Sequence, residues 1–415
     1  MTEAVRTGCC IVGGGPAGMM LGLLLARAGV EVLVLEKHGD FLRDFRGDTV
    51  HPSTLEVMHE LGFLDEFLEL PHQKLYEFRL QTDSGFLMVA NLRKLRARCP
   101  FVAMMPQWDF LDFLARKARS YPGFELRMQT EATGLLEDAD GLAGIRATGP
   151  EGDLEVRAGL VVACDGRSSI VRDRAGFAVR ELGAPIDVLW FRVSRRPGDP
   201  EQVMGRVTRG QAVVLLNRGT HWQCAYLIPK GTADDLKARG LDRFLVSVGQ
   251  LDPFLADRVS EIGGWEDVPL LSVRVDRLRR WYRPGLLCIG DAAHAMSPIG
   301  GVGINLAIQD AVAAANLLTG PLRADRVTPA HLRRVQRRRM FPTRVIQRLQ
   351  LLVQNRLLGP ALRAGADRRL PLGFRAAARI PILQRISGWL IGRGVRPEHV
   401  RTPQLPVSAG VRPVP

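Results

Sequence analysis

Three glycines near the start of the chain have the spacing of a phosphate-binding turn. Gly13, Gly15 and Gly18 follow the apolar run 9–12 and precede an apolar helix that is predicted to end near Gly29. In such a turn the first glycine permits the tight bend, the second lets a pyrophosphate approach the backbone, and the third lets the helix pack closely on the strand. The helix N-terminus adds free N–H donors and a partial positive charge. The pattern predicts a site for a nucleotide.

Acidic residues follow three strand-like segments and complete this site. Glu36 lies 18 residues after Gly18, at the end of a second short strand, where a carboxylate can accept hydrogen bonds from two ribose hydroxyls. Asp165 follows the apolar run 159–164, and Asp291 follows the run 285–289. Because acids at the carboxyl ends of parallel strands face the crevice where open α/β sheets bind ligands, we expect both to point toward the nucleotide.

The elements that must position these residues are those of an α/β fold. Strand, glycine turn, helix and strand form a βαβ unit, and a later helix is predicted from Asn305 to Leu318, ending at Gly320-Pro321. Ser168 and Ser169 are candidate helix caps after Asp165. Other segments alternate between apolar and polar residues, as half-buried strands do, and a sheet with one apolar face can roof a pocket. They cover residues 76–82, 86–91, 187–193, 211–217 and 221–228.

Together the Gly-x-Gly-x-x-Gly, Asp165-Gly166 and Gly290-Asp291 segments resemble those of the para-hydroxybenzoate hydroxylase family, the single-component (class A) flavoprotein monooxygenases. The resemblance covers roughly residues 8–320. It implies a Rossmann-type FAD-binding domain, an inserted β-sheet substrate domain and a helical C-terminal tail. The expected boundaries are 1–74, 106–184 and 276–327 for the first, 75–105 and 185–275 for the second, and 328–415 for the tail.

The resemblance also implies roles for particular residues. It places Glu36 on the adenosine ribose, Asp291 on the ribityl chain and Pro298 near the isoalloxazine. The backbone of residues 303–305 would meet the pyrimidine end, where a helix N-terminus suits the negative charge of the reduced flavin. The full set of cofactor-binding residues expected in this way is Gly13, Gly15, Ala17, Gly18, Glu36, Lys37, Arg46, Gln107, Asp165, Gly290, Asp291, Pro298, Gly301, Gly303, Ile304 and Asn305.

The chemistry implied by the resemblance is carried by the cofactor. FAD would be reduced by NADH or NADPH, and a flavin C4a-hydroperoxide would hydroxylate an aromatic or other lipophilic small molecule with one atom of O2. No amino-acid nucleophile is needed, and the sequence contains no metal-ligand cluster. Tyr226 and His221 are candidate phenol-activating bases. Because there is no second Gly-x-Gly-x-x-Gly unit, we expect NAD(P)H to bind transiently.

Other functions of the same superfamily stay open at this point. Flavin halogenases carry a Gly-Trp-x-Trp-x-Ile-Pro segment, and residues 264–269 do not match it. An epoxidase or reductase acting on a prenyl or lipid substrate is not excluded by residues 1–318. A non-catalytic flavin-binding redox sensor or scaffold is the alternative outside enzymes.

The net charge of +14 comes from the C-terminal part of the chain. Residues 319–415 contain 20 Arg, no Lys and three acids, a net charge of +17, whereas residues 1–318 carry a net −3. A basic protein prompts a nucleic-acid or an anionic-membrane hypothesis. We predict no nucleic-acid binding, because the arginines alternate with aliphatic residues and not with base-stacking aromatics.

Two amphipathic helices are predicted in this basic segment. One begins at Thr328-Pro329, with Thr as N-cap, and the second follows Phe341-Pro342 and ends at Gly359-Pro360. The apolar stripe of the second helix comprises Val345, Ile346, Leu349, Leu352 and Val353. Either this stripe docks on the FAD domain, or the helices lie on an anionic membrane with Trp389 at the interface.

The expected location is the cytoplasm, with the inner face of the cell membrane as a possible site of peripheral contact. We predict no secretory signal at residues 1–8 and no apolar run of the roughly 18 residues that span a bilayer. The six cysteines have no zinc-binding spacing, and three of them lie within apolar runs. We therefore expect them to be small core residues.

Overall fold

The computed structural model describes residues 2–42, 48–82, 85–199, 204–208, 210–363 and 378–405. The β-strands in these ranges are β1 Glu3–Val12, β2 Val32–Leu35, β3 Thr49–Val50, β4 Gln73–Leu75, β5 Glu77–Thr82, β6 Gly85–Asn91, β7 Val102–Met104, β8 Phe124–Arg127, β9 Glu131–Asp138, β10 Gly141–Gly149, β11 Gly152–Ala163, β12 Val179–Glu181, β13 Ile186–Ser194, β14 Met204–Thr208, β15 Gln211–Asn217, β16 His221–Pro229, β17 Leu270–Leu271, β18 Asp276–Leu278, β19 Tyr282–Arg283 and β20 Leu286–Cys288. The α-helices are α1 Pro16–Arg27, α2 Pro52–Glu60, α3 Leu64–Glu69, α4 Gln107–Ala118, α5 Ile170–Arg174, α6 Ala233–Ala238, α7 Leu241–Gly249, α8 Pro253–Ala256, α9 Gly303–Arg323, α10 Pro329–Val353, α11 Gly359–Arg363 and α12 Pro381–Gly392. Short 3-10 turns lie at Val259–Glu261, Trp265–Asp267, Gly290–Ala292 and Ile299–Gly301, and a π turn at Gln354–Leu358 joins α10 to α11.

The first sheet is the Rossmann-type core. Its main path has the order β19-β20-β11-β1-β2-β8, and β10 and β9 extend it from β11. The pairs β1–β2, β1–β11, β2–β8 and β11–β20 are parallel. Helix α1 packs against α4 and α9, and the last four residues of β1 and all of β2 are buried. The predicted α/β class and Rossmann-type fold are confirmed.

The second sheet has the order β17-β13-β16-β15-β14-β5-β6. Its strands come from the chain before α4 and from the chain after α4, as expected for an inserted sheet. The five strands predicted from alternation all belong to it. One face packs on α6, α7 and α8. The other face packs against Ile299 and against α11. The sheet therefore joins the Rossmann core on one face only.

Two predicted helix ends are wrong. Helix α9 continues through Gly320-Pro321 to Arg323, and α10 runs through Pro342 without a break. A proline inside a helix removes a backbone hydrogen bond and costs about 3 kcal/mol. In α10 the buried side chains Val335 and Ile346 lie on either side of Pro342, so packing along the whole helix offsets that cost.

The C-terminal segment packs on the Rossmann domain. The Arg27 guanidinium donates to the Thr402 carbonyl at 3.1 Å, and the Asn316 side chain donates to the His399 carbonyl at 2.8 Å. Residues of α10 are part of the main hydrophobic core. The segment predicted as a tail is therefore integrated into the fold.

The buried face of α10 matches the predicted stripe only in part, at Ile346. Leu349 and Leu352, two members of the predicted apolar stripe, are 37% and 53% exposed. Gln347, Gln350 and Gln354 are buried in their place. The physical reason is that unpaired backbone groups of the neighbouring loop need hydrogen-bond partners, which leucine does not offer.

One segment within the described ranges is long and apolar enough to cross a bilayer. It covers residues 299–323, the turn before α9 and α9 itself, and 72% of its apolar 18-residue stretch is buried inside the protein. A core helix of a globular domain has the same length and composition. This segment is therefore accounted for by its packing in the Rossmann domain.

Candidate active site

The glycine turn lies between β1 and α1, as its spacing predicts. Gly13 has φ +104°, and a methyl group placed on it would lie 2.5 Å from the Cys164 carbonyl oxygen, so the turn has no room for a side chain there. Gly15 is the N-cap of α1 and makes no side-chain cap. A methyl group on Gly15 would meet no heavy atom within 4 Å. Open space in front of uncapped helix N–H groups suits a phosphate.

Glu36 is buried at the end of β2 beside the glycine turn. Its Oε2 accepts a hydrogen bond from the Gly14 amide at 2.8 Å, and its Oε1 accepts from the His38 amide at 3.2 Å. These bonds hold the carboxylate at the carboxyl edge of the sheet. Lys37 points elsewhere: its side chain is mostly exposed and lies 3.8 Å from Glu131.

Register brings the other two acidic segments to the same edge. Val12 is opposite Ala163, and Ala163 is opposite Cys288, so the residues that follow these three strands start level with one another. Asp165 accepts from the Val171 amide at 3.3 Å, and burial raises the pKa of its carboxyl group. Asp291 Oδ2 accepts from Arg167 Nε at 3.2 Å. Ser169 caps α5, as predicted.

The segment from Pro298 to Ile304 is half-exposed between two buried stretches, residues 292–297 and the buried part of α9. Gly300 and Gly301 have φ +79° and +61°, a conformation that favours glycine. Val302, the N-cap of α9, makes no side-chain cap. The loop therefore presents accessible backbone and a free helix N-terminus on the side of the Rossmann sheet that carries Gly13.

Asn305 ties this loop to the segment at β3. Its Oδ1 accepts from the His51 amide at 2.9 Å and from Thr54 Oγ1 at 2.7 Å, and its Nδ2 donates to the Thr49 carbonyl at 3.2 Å. Thr49 Oγ1 in turn donates to the Gly301 carbonyl at 2.7 Å. The Asn305 side chain is thus committed to protein partners, which leaves its backbone as the part that can meet a ligand.

Three glutamines, two in α10 and one in the π turn that follows it, contact the backbone next to this loop, and only their spacing in the sequence could have indicated them. Gln347 Nε2 donates to the Ala295 carbonyl at 3.1 Å. Gln350 Nε2 donates to the carbonyls of Ser297 and Ile299 at 3.0 and 2.9 Å. Gln354 Nε2 hydrogen-bonds Ser297 Oγ. The C-terminal segment therefore fixes the backbone on both sides of Pro298.

A buried charge network links α10 to the Gly290-Asp291 segment. Asp310 accepts from the Gly290 amide at 3.2 Å, from His294 Nε2 at 2.5 Å and from Arg339 Nε at 2.9 Å. Arg339 also donates to Glu398 Oε1 at 3.3 Å. Burial alone would raise the pKa of Asp310, but the ion pairs with His294 and Arg339 lower it below its usual value. The carboxylate is therefore ionised, and it anchors the loop that carries Asp291.

A second buried ion pair joins the β-rich sheet to the Rossmann domain. Arg218, in the turn between β15 and β16, pairs with Asp48, and both side chains are at least nine-tenths buried. Asp48 Oδ1 accepts from the Gln107 amide at 3.2 Å, and Arg218 Nε donates to Gln223 Oε1 at 2.8 Å. Gln107 therefore enters the site through its backbone at the start of α4. Sequence reasoning missed the pair, because nothing local relates residues this far apart.

The two candidate bases lie on opposite faces of β16. Tyr226 belongs to the face covered by α7; its ring centroid is 5.4 Å from that of Phe244, and burial raises the pKa of its phenol. That placement is wrong for a base in a site at the loop from Pro298 to Ile304, which lies on the other face of the sheet. His221 lies on the other face with Gln223 and Ala225, and burial first, then Arg218 and Arg192, lower the pKa of its imidazole.

The other predicted cofactor-binding residues are Ala17, Gly303, Ile304 and Arg46. Ala17 is buried in the first turn of α1, 3.2 Å from where a methyl group on Gly290 would lie, so the glycine turn and the Gly290-Asp291 segment are in contact. Gly303 and Ile304 form the first turn of α9. Arg46 lies outside the described residues.

These residues fit an FAD. The open face of Gly15 and the α1 N-terminus suit the pyrophosphate, the Glu36 carboxylate suits a ribose, and the half-exposed loop from Pro298 to Ile304 suits a flat ring. All three groups lie at one side of the same sheet. The arrangement is that of a dinucleotide held across the carboxyl edge of a Rossmann-type domain.

Known proteins are similar to this chain in sequence. A sequence profile described as an FAD-binding domain matches residues 6–349. The chain is 32% identical over 394 residues to the 6-methylpretetramide 4-monooxygenase of Streptomyces rimosus, covering 93% of both chains. It is 30% identical over 323 residues to the 12-dehydrotetracycline 5-monooxygenase/anhydrotetracycline 6-monooxygenase of Streptomyces rimosus subsp. rimosus, covering 74% of this chain and 61% of that protein.

Solved structures show the same fold. The anhydrotetracycline hydroxylase of Streptomyces rimosus superimposes with a TM-score of 0.74 and 24% identity, over 94% of this chain and 76% of that one. A probable FAD-dependent monooxygenase from Pseudomonas aeruginosa superimposes with a TM-score of 0.73 and 23% identity, over 86% of this chain and 98% of that one. The chain belongs to the FAD-binding domain family and is an FAD-dependent monooxygenase, an oxidoreductase of the class A flavoprotein type.

Proposed function

We propose that this enzyme hydroxylates an aromatic ring of a multi-ring small molecule, with FAD as cofactor, O2 as oxidant and NADH or NADPH as reductant. The observation that carries the proposal is the match along 93% of the length of the 6-methylpretetramide 4-monooxygenase. Two other relatives are named for tetracycline-type substrates, and the match with this chain covers 61% of the length of each. A fused aromatic substrate is common to these names.

The cofactor is proposed to lie along the carboxyl edge of the Rossmann sheet. Gly13, Gly15 and the α1 N-terminus would bind its pyrophosphate, Glu36 its adenosine ribose and Asp291 its ribityl chain. The first turn of α9 would face the pyrimidine end of the ring, where N–H donors stabilise negative charge. When bound, FAD accepts hydride from NAD(P)H and activates O2 for transfer to an electron-rich ring.

The substrate is proposed to lie between this loop and the β-rich sheet. The side chains of Val188, Trp190, Ala225 and Leu227 form the apolar face of that sheet. Ile299, in the loop from Pro298 to Ile304 that we call the flavin loop, packs against the same cluster. An apolar roof excludes water from the reacting atoms, which protects the activated oxygen from hydrolysis. His221, on this face and with a lowered pKa, is neutral near pH 7 and can accept a phenol proton.

The proposed partners are the small-molecule substrate, O2 and a transiently bound NAD(P)H, and no nucleic acid. The proposed location is the cytoplasm, where NAD(P)H is available, with peripheral contact between the basic C-terminal segment and the inner face of the cell membrane. The excess of arginine in residues 319–415 supports that contact.

NAD(P)H oxidation under air, with candidate substrates, tests the reaction. Fused-ring phenols should stimulate both NAD(P)H oxidation and O2 uptake, and 18O2 should label the product with one oxygen atom. Monocyclic phenols and prenylated lipids are the comparison substrates. Stimulation by the prenylated compounds alone would point to an epoxidase or reductase, and no stimulation by any compound would refute the hydroxylase.

A further inference from the structure

Helix α12 exposes an apolar stripe to solvent. Ile382, Ile386 and Trp389, spaced by four and three residues, share one side of the helix and are 56%, 49% and 43% exposed. Ile380 and Leu383 beside them are also exposed. Large apolar side chains grouped in this way on a surface mark an interaction site, whereas single ones need no explanation.

The opposite side of α12 is fixed against the β-rich sheet, so the outward direction of the stripe is determined. Ser387 Oγ donates to the Val89 carbonyl of β6 at 2.6 Å. Gly388 and Gly392 are buried, and a methyl group on Gly392 would lie 2.7 Å from Leu95. Because these positions are glycines, α12 can lie close to its neighbours. If the helix were rotated to bury the stripe, isoleucine or tryptophan side chains would have to occupy this close contact.

The surroundings of the stripe are basic. Arg379 and Arg385 are exposed and Arg393 is half-exposed, and none of them forms an ion pair within the described residues. The sequence has no acidic residue between Asp367 and Glu398. Glu398 itself is buried and already paired with arginines of α10. The arginines around the stripe are therefore not neutralised by ion pairs within the described residues or by acidic residues of their own segment.

We propose that this face of α12 docks on an anionic membrane surface. Aliphatic side chains and a tryptophan on one side, with arginines at their border, are the composition of helices that lie in the headgroup region. Tryptophan favours that interface because its ring is apolar and its N–H is polar. An acidic protein would complement the arginines but would leave the four exposed aliphatic side chains without the hydrocarbon that a bilayer offers.

The docked face belongs to a helix that packs on the edge strand of the substrate sheet. Helix α12 packs on β6, and β6 belongs to the sheet whose other strands form the apolar roof of the proposed substrate site. Docking would hold that sheet at the membrane, where lipophilic substrates are concentrated. This consequence rests on the proposed hydroxylase function, whereas the docking itself does not.

Sedimentation of the full-length holoenzyme with vesicles tests the proposal. Vesicles of phosphatidylcholine with and without phosphatidylglycerol are compared at low and high salt. The stripe variant is Ile382→Ser/Ile386→Ser/Trp389→Ser, and its matched control is Val246→Ser/Leu270→Ser, two exposed apolar residues elsewhere. The charge variant is Arg379→Gln/Arg385→Gln, and Arg239→Gln/Arg243→Gln is its control with the same change in net charge.

The wild type should bind phosphatidylglycerol vesicles, and less at high salt. The charge variant should bind less tightly by about fivefold per arginine, the stripe variant should lose binding, and both controls should bind as the wild type does. FAD content and turnover of a soluble substrate without vesicles should stay unchanged in every variant, which separates this proposal from the hydroxylase proposal.

Three outcomes would overturn the docking proposal. One is a wild type that does not sediment with anionic vesicles at low salt. Another is binding that both α12 variants retain. The third is a wild type that is dimeric by analytical ultracentrifugation and becomes monomeric in the stripe variant, because a second copy of the chain would then cover this face.

Discussion

Replacing Arg339 with methionine tests whether α10 is part of the flavin-binding domain. The Arg339 side chain is 1% exposed, and its partner Asp310 is fully buried. Methionine fills a similar volume but leaves the carboxylate with one cation fewer. Removing one partner of a buried ion pair costs about 3–5 kcal/mol, because the other charge stays buried without compensation.

This loss can be converted into a melting temperature. An unfolding entropy of about 2.1 cal/mol/K per residue gives about 0.9 kcal/mol/K for the 415 residues. The R339M variant should therefore melt about 3–6 °C below the wild type. It should also release FAD more easily, because Asp310 holds the Gly290 amide next to Asp291. Thermal unfolding and flavin fluorescence measure the two effects.

The control is Arg337→Met, an exposed position two residues away on the same helix, where we expect a change within about 0.5 kcal/mol. The double variant Asp310→Asn/Arg339→Met removes the unpaired charge and should recover part of the stability. An R339M protein that melts within about 1 °C of the wild type and keeps its FAD would refute the reasoning.

The same pair predicts a pH dependence. The pKa of Asp310 is lower in the folded protein than in the unfolded chain, so its contribution to stability is fully present above about pH 4 and is lost as the pH falls further. In R339M this lowering is smaller. The melting temperature of the variant should therefore fall less steeply on acidification than that of the wild type. An equal slope would show that the ion pair does not set the Asp310 pKa.

Four further variants test the site. Gly15→Val should weaken FAD binding at least about tenfold, measured by flavin fluorescence, without lowering the melting temperature of the apoprotein, since the space it fills is free of protein atoms. Tyr226→Phe should lose about 1 kcal/mol of stability and leave the pH profile of kcat unchanged, whereas His221→Asn should remove its acidic limb. Arg218→Met should destabilise the protein by about 3 kcal/mol, because it leaves Asp48 buried without its cation; a melting temperature equal to that of the wild type would contradict this.

The Rossmann half of the fold was predictable because its signals are local. A glycine turn between a strand and a helix needs particular residues at fixed spacings, so Gly13 and Glu36 identify the βαβ unit without reference to the rest of the chain. The strands of the second sheet were predictable for the same reason, since alternation reports one buried face. Alternation does not say what covers each face.

Because alternation does not show what covers each face of a strand, the position of Tyr226 could not be predicted. The pattern of β16 separates Tyr226 from His221, but only the packing of α6, α7 and α8 decides which side faces the flavin loop. The ion pair between Asp48 and Arg218 was beyond prediction too. It depends on a contact between two domains, and residues that far apart in the sequence carry no spacing signal.

The C-terminal segment shows most clearly which features the sequence determines and which depend on tertiary structure. The sequence by itself determined that residues 319–415 carry the excess charge and that α10 is amphipathic. Tertiary structure alone decided which side of α10 is buried. The flavin loop has backbone groups that need partners, so Gln347, Gln350 and Gln354 turn inward and Leu349 and Leu352 face outward. Hydropathy scales rank side chains by the free energy of their transfer out of water, and on that basis leucine would be buried. A buried surface with unpaired carbonyl groups instead favours side chains that donate hydrogen bonds.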